Sequence, residues 1–288
     1  VLSFVTQAQN TTESLLRIAD KYWVSQDVVY GAANNTPLKL DVWYPRDNPN
    51  PTPTLVYIHG GGWIFGTKEG SILQTLPYLE KGWRVVNVEY RMASNSLAPA
   101  AVEDTRCALR WVFRNAKQYN FDTTKIVLTG HSAGGHLSLI TGMLPDETPL
   151  DNRCFAAEKY GDVPMKVAAI INWYGITDVN DIIQGENLKN YGVMWMGSLS
   201  NSAEIAKSIS PLNYVREGLP PIFTVHGDKD DVVPYSHATI LKSSLDKVKV
   251  KNQLFTVKGG GHGQFNQADY VNAFNEIWKF LKENKITQ

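Results

Sequence analysis

Lys125-Ile126-Val127-Leu128-Thr129-Gly130-His131-Ser132-Ala133-Gly134-Gly135 is the stretch on which the fold turns. Its first five residues make a short β-branched and apolar run, which predicts a buried strand. A helical pattern opens near Ala133. Between the two lies G-x-S-x-G. A serine hydroxyl is a poor nucleophile unless it is exposed and beside a base. A sharp strand-to-helix turn lifts it clear of the backbone. Gly130 and Gly134 remove side chains that would collide at such a turn. The helix N-terminus aims N–H groups and the positive end of its dipole at the same point. G-x-S-x-G alone often arises by chance, so its flanking strand and helix give it weight.

The same alternation extends outward. Leu38–Tyr44 has period two, as a half-buried strand does. Thr54–His59, Arg84–Tyr90, Val167–Trp173, Pro221–His226 and Gln253–Val257 read as further buried strands of a mostly parallel sheet. Helical patterns separate them. Pro99–Tyr119 carries Val102, Leu109, Val112, Phe113 and Ala116 at helical spacing. Ser236–Val248 follows, then Asp269–Lys282 with Val271, Phe274, Ile277, Trp278 and Leu281 on one expected face. This order predicts an α/β fold, a three-layer α/β/α sandwich. Without repeats or dividing linkers, residues 1–288 read as one domain. Pro145–Pro164 looks like a loop insertion. Residues 177–214 are too long for an ordinary connection and read either as a lid or cap-like wall or as a decorated surface loop.

Composition narrows the partners. The 288 residues carry 28 basic and 28 acidic side chains, with no like-charge block. Nucleic acid or an anionic membrane would call for a basic excess. No apolar run approaches the roughly 18 residues of a membrane span. Cys107 and Cys154 are too few for a disulfide scaffold or a zinc site, and spacing alone does not decide whether they pair. Val1–Gln9 reads as the tail of a secretory leader or as an ordinary N-terminus. That slightly favours a secreted or periplasmic location over a cytoplasmic one. Asn10-Thr11-Thr12 and Asn34-Asn35-Thr36 fit the glycosylation sequon, as many chance triplets do.

Eleven of the 22 glycines fall in four short segments. His59-Gly60-Gly61-Gly62-Trp63 follows a strand, and its backbone N–H groups suit a developing oxyanion. It lacks the lysine and serine or threonine of a phosphate loop. Of six histidines, His262 in Gly259-Gly260-Gly261-His262-Gly263 is the candidate base. A glycine-rich loop past a strand end lets it reach a neighbouring strand. His131 sits in the tight turn, where its side chain is expected to point away from the serine. His59, His136, His226 and His237 read as structural. The loop after Pro221–His226 offers Asp228, Asp230 and Asp231 as acid. Asp230 is preferred, Asp231 is second, and Asp228 reads as a turn brace. Asp104 reads as a helix-face charge and Asp178 as a loop cap. The order Ser132, Asp230, His262 is that of α/β-hydrolases.

With these residues the chain resembles the α/β-hydrolase superfamily, and within it the hormone-sensitive-lipase-like esterases that carry HGGGW and GHSAGG. Glu89-Tyr90-Arg91, Pro99-Ala100, Glu103-Asp104 and Arg110-Trp111-Val112 are similar to the same branch. Bacterial feruloyl and acetyl-xylan esterase-like carboxylesterases look nearest. The resemblance covers Val42 to the C-terminus. It implies an eight-stranded sheet and Thr11–Tyr22 as a short N-terminal lid segment. It also implies Asp230 as the acid and an oxyanion hole from the N–H groups of Gly61, Gly62 and Ala133. The implied activity is a serine carboxylesterase acting on small-molecule, short- to medium-chain acyl esters through an acyl-enzyme. Acetyl or feruloyl esters of plant polysaccharide are one option. No metal or cofactor is expected. A neutral to mildly alkaline optimum would follow from the need for an unprotonated His262. Trp63, Trp195 and His131 are candidate substrate contacts, with Tyr191, Met194 and Met196 nearby. The rival enzyme is an aryl-formamidase-type amide hydrolase. A rival of another class is a non-catalytic ligand-binding protein on the same fold.

Overall fold

Eight strands join in one sheet, in the order β1-β2-β4-β3-β5-β6-β7-β8. They are β1 (Tyr22–Ala33), β2 (Thr36–Pro45), β3 (Thr52–Ile58), β4 (Arg84–Val88), β5 (Phe121–His131), β6 (Ala169–Trp173), β7 (Ile222–Gly227) and β8 (Asn252–Val257). The β1–β2 and β2–β4 pairs are antiparallel, and every pair from β4 to β8 is parallel. This computed structural model describes residues 16–146, 148–154 and 164–288. Val1–Gln9, the Asn10-Thr11-Thr12 sequon, residues 11–15 of the expected lid segment and part of the 145–164 excursion lie outside them.

Period-two alternation sorts the strand side chains onto two faces. Val56, Ile58, Val86, Val88, Ile126, Leu128 and Ile170 join one buried cluster, with the helices Ala100–Arg114, Ala133–Met143 and Ser236–Lys247. Leu55, Tyr57, Val85, Val127, Ile171, Trp173 and Phe223 join the other, with the helices Leu76–Glu80 and Gln267–Glu283. Both layers of helix predicted from the sequence are therefore present. The last helix begins where the Asn266 side chain accepts the Asp269 N–H at 2.9 Å. It buries Ala273, Ile277 and Leu281, spaced by four residues. Val271 departs from the expected face and is exposed.

Two further expectations need correction, at Tyr22 and at Asp104, and the Asn34-Asn35 pair takes a place in the fold that the sequence did not show. β1 was not anticipated: residues 16–21 are helical, but Tyr22 starts a strand, and its hydroxyl donates to Leu79 O and Trp83 O. Asn34 and Asn35, noted as a sequon, turn the β1–β2 hairpin with φ of 50° and 57°. Two positive-φ residues are what a tight hairpin of primed type needs. Asp104 is no helix-face charge: it is buried, and the Arg91 guanidinium donates to both its oxygens. A carboxylate buried there needs such a partner.

Cys107 and Cys154 form a disulfide that ties the Ala100–Arg114 helix to the Pro149–Arg153 turn. Beside it, Arg106 and Arg110 both reach Asp151. Residues 177–214 form three short helices, Val179–Ile183, Asn190–Met196 and Ser202–Ser208, and a 3₁₀ turn, Pro211–Tyr214. Asp178 caps the first, as expected, by accepting the Asn180 N–H. Two buried histidines fasten the ends of this excursion. The Thr177 N–H donates to His237 Nδ1 at 3.0 Å, and His136 Nε2 donates to Ile209 O at 2.8 Å.

Candidate active site

Ser132 sits between β5 and the Ala133–Met143 helix at φ 57° and ψ −120°. That backbone region is unfavourable for any residue with a side chain, and the surroundings hold it there. The Ser132 N–H donates to Trp173 O on β6 at 2.9 Å, and the His136 N–H donates to Ser132 O at 3.0 Å. Gly134 is required by close approach: a Cβ there would stand 2.0 Å from Ile58 O. The elbow is thus pressed against the end of β3.

The glycine loop leaves that same strand end. A Cβ on Gly60 would lie 3.5 Å from Ser132 Cβ, so the loop passes directly beside the serine. Gly61 holds φ 117°, and a Cβ on it would collide with Phe65 O at 1.8 Å. The Gly61 carbonyl is taken by the Ile64 and Phe65 N–H groups. Among the described residues no acceptor engages the Gly61 or Gly62 N–H. His59 braces the base of the loop, stacked on Tyr90 at 4.4 Å, while the Tyr90 hydroxyl donates to His59 O.

Asp230 follows β7 and His262 follows β8. His262 Nδ1 lies 2.8 Å from Asp230 Oδ2, and His262 Nε2 lies 2.8 Å from Ser132 Oγ. With its hydrogen on Nδ1, the ring donates to the carboxylate and accepts from the serine hydroxyl. Of the three aspartates, only Asp230 reaches the histidine. Asp228 accepts the Gly259 N–H and braces the turn as expected, while Asp231 offers its carbonyl to Lys189 Nζ. Burial acts to raise the Asp230 carboxyl. Hydrogen bonds from His226, His262 and the Val233 N–H outweigh it and hold the group well below the usual carboxylate range.

A cavity of about 550 Å³ opens beside the elbow. His131 and Gly60, the immediate neighbours of the serine, form its inner end. Tyr57, Tyr174, Tyr270, Phe274, Leu73 and Gln74 form much of its wall. The His131 side chain lines this cavity. Its Nδ1 is 2.9 Å from the Tyr57 hydroxyl, and its ring stacks on Trp173. Burial and the neighbouring His262 lower its pKa to about 3. Lys68 pins the loop that forms the outer wall: its ammonium reaches Asp41 at 2.9 Å, and its N–H donates to Glu89.

Trp63 and Trp195 do not line the site. Both indoles are fully buried and stack at 4.0 Å, with the His136 ring edge-on to each. They are core residues under the excursion. Met196 is buried and Met194 is exposed. Tyr191 comes closest to the serine's loop: its Cβ would lie 3.0 Å from a Cβ on Gly62, and its hydroxyl donates to Val232 O. Tyr174, packed edge-on against His262 at 4.7 Å, was not read from the sequence as a site residue, nor were Tyr57, Tyr270 and Phe274, the last of which was expected only on a helix face. Their one available signal is position, at strand ends or on the first turns of a helix facing the elbow.

A serine on a strand–helix elbow, with a histidine and an aspartate from later strand ends, defines an α/β-hydrolase. The BD-FAE family profile matches residues 40–245, and the chain belongs to that family. Among curated relatives, Esterase LipC of Mycobacterium tuberculosis is 28% identical over 251 residues, which span 84% of this chain and 60% of LipC. The chain thus covers less than two thirds of that relative's length. Among solved structures, a truncated carbohydrate esterase from gut microbiota is 25% identical, with a TM-score of 0.78 over 93% of this chain and 98% of that one. A butyrate-bound thermophilic esterase from Thermogutta terrifontis is 26% identical, with a TM-score of 0.74 over 90% and 94%. Among the described residues, no helix is long and apolar enough to cross a membrane.

Proposed function

We propose that the chain is a serine carboxylesterase. The observation that carries this is the continuous relay Ser132–His262–Asp230, with both links at 2.8 Å. His262 Nε2 takes the hydroxyl proton as Ser132 Oγ attacks the ester carbonyl. The carbonyl oxygen becomes an oxyanion facing the N–H groups of Gly61, Gly62 and Ala133. His262 then gives its proton to the leaving alcohol, and Ser132 keeps the acyl group. Water, deprotonated by His262, attacks the acyl-enzyme, and His262 returns that proton to Ser132 Oγ as the Ser132–acyl bond breaks and the acid leaves. Asp230 keeps the imidazole in the tautomer that accepts at Nε2 and stabilises its charged form.

The substrate reading is a small ester with a short- to medium-chain acyl group. The cavity beside the elbow gives it room, and residues 177–214, whose Tyr191 meets the glycine loop at Gly62, are read as a cap-like insertion of the same domain. The cavity's tyrosine and phenylalanine faces also suit a planar acyl group, so acetyl and feruloyl esters of plant polysaccharide are the finer reading. The resemblance to a carbohydrate esterase supports the same direction. The test is turnover of p-nitrophenyl butyrate, methyl ferulate and acetylated xylan by wild type and Ser132→Ala. Ser132→Ala should lose at least about 10³-fold in kcat, and an unchanged rate overturns the assignment. Faster cleavage of N-formylkynurenine than of every ester would move the reading to a formamidase.

A further inference from the structure

Asp230 is held by more than its catalytic partner. His226, the fifth residue of β7, has a fully buried side chain. Its Nε2 lies 3.0 Å from Val233 O and 3.2 Å from Asp230 Oδ2. Both neighbours are acceptors. The ring hydrogen must therefore sit on Nε2, shared between the carbonyl and the carboxylate. Its Nδ1 is buried with no hydrogen-bond partner among the described residues. The tautomer is thus fixed by the Nε2 side alone. Tyr174 and Tyr235 wall the ring at 6.5 and 5.7 Å between centroids.

The carboxylate is then fully subscribed. Oδ1 accepts the Val232 N–H at 2.9 Å and the Val233 N–H at 2.8 Å. Oδ2 accepts from His262 at 2.8 Å and from His226. A carboxylate has about four acceptor directions, and these four donors occupy them. The two backbone donors fix one oxygen. Among the described residues, His226 is the only side chain besides His262 on the oxygen that faces the catalytic imidazole. Without it, Oδ2 would be restrained by the group it is meant to orient.

We propose that His226 is a positioning residue for the reaction, holding Asp230 Oδ2 where His262 Nδ1 needs it. This rests on the serine-hydrolase reading above. His226 touches no reacting atom and acts only through Asp230. The alternative is that it merely braces the 228–233 loop through Val233 O.

Three substitutions separate these roles. His226→Gln places an amide N–H₂ near the position of Nε2. His226→Asn carries its amide too short to reach both acceptors. His226→Leu keeps bulk and donates nothing. Rates are measured with p-nitrophenyl butyrate per active serine, titrated with a fluorophosphonate, so unfolded protein does not count. Losing one hydrogen bond to a charged group predicts that His226→Leu lowers kcat about 10- to 100-fold. KM should change less than about threefold, because no substrate contact is lost. His226→Gln should recover most of kcat, and His226→Asn should not. An unchanged kcat per titrated site in His226→Leu overturns the proposal and leaves a loop brace. If His226→Leu does not fold, equal kcat in the Gln and Asn variants overturns it in the same way. A wild-type chain that neither turns over ester nor takes up fluorophosphonate overturns the hydrolase reading, and this proposal with it.

Discussion

At the residue scale, the site depends on a few backbone positions that tolerate no side chain. Gly134 is one of them, because a methyl there meets Ile58 O at 2.0 Å. Relief requires moving either β3 or the serine's helix. Gly134→Ala should therefore destabilise the fold by about 3 kcal/mol or more. Urea unfolding followed by tryptophan fluorescence measures this, and a loss below about 1 kcal/mol would contradict the packing described. Ser132, Asp230 and His262 were legible because each sits in a short motif just past a strand end, where glycines announce a tight turn. The two tryptophans were not. Trp63 and Trp195 pack on His136 in the helix that follows the elbow, yet both rings are fully buried. A linear sequence does not record which side of a loop a large ring takes. His226 is the reverse case, a histidine read as structural whose buried edge meets Asp230.

At the element scale, β1 marks where pattern reading stops. Its pairing with β2 shifts register between Ser25 and Val28 and again between Val29 and Gly31. Each bulge reverses the in-and-out alternation, so no period of two survives along Tyr22–Ala33. The hairpin turn at Asn34-Asn35 was the signal that remained. The parallel strands β3 to β7 were legible because they are buried on both faces and read as continuous apolar runs. The disulfide lay beyond the sequence for another reason. Its cysteines are 47 residues apart, and only the packing of the Pro149–Arg153 turn on the Ala100–Arg114 helix brings them together. Closing a loop of that length restricts the unfolded chain. The double substitution Cys107→Ser/Cys154→Ser should cost about 2–4 kcal/mol. Urea midpoints of that variant, and of wild type with and without reductant, check it. Reductant should shift wild type and leave the variant alone.

At the scale of the whole molecule, stability should depend on acidity through buried imidazoles. His136 is fully buried, and burial lowers its pKa from 6.5 to about 4, against the opposing effect of the Ile209 carbonyl. The unfolded chain takes up this proton first as pH falls. The contribution is therefore complete above about pH 6.5 and is lost on the way down to about 4. His136 alone accounts for up to about 3 kcal/mol across that window, and His131 adds in the same direction. The depressed Asp230 acts only below the ordinary carboxylate range, so it leaves this window alone. Unfolding free energies at pH 7, 6 and 5 should fall steadily, and His136→Gln should flatten the slope. The layered architecture was legible because alternating strand and helix patterns admit few topologies. One interior strand, β6, has a property that the sequence hid. The strand ends of β3, β5, β7 and β8 each deliver part of the relay or the glycine loop. β6 delivers the Trp173 carbonyl that anchors Ser132, the Trp173 ring that stacks on His131 and, just past its end, the Tyr174 ring against His262. Everything beyond that anchor, through the 177–214 excursion, hangs from a strand that owes the chemistry nothing further. Loop length adds little entropic cost once the ends are fixed, and here His237 and His136 fix them. Between those ends Lys189 and Tyr191 bond the carbonyls of Asp231 and Val232 beside the acid, so segments exchanged within the excursion leave the machinery intact only where those two contacts are kept.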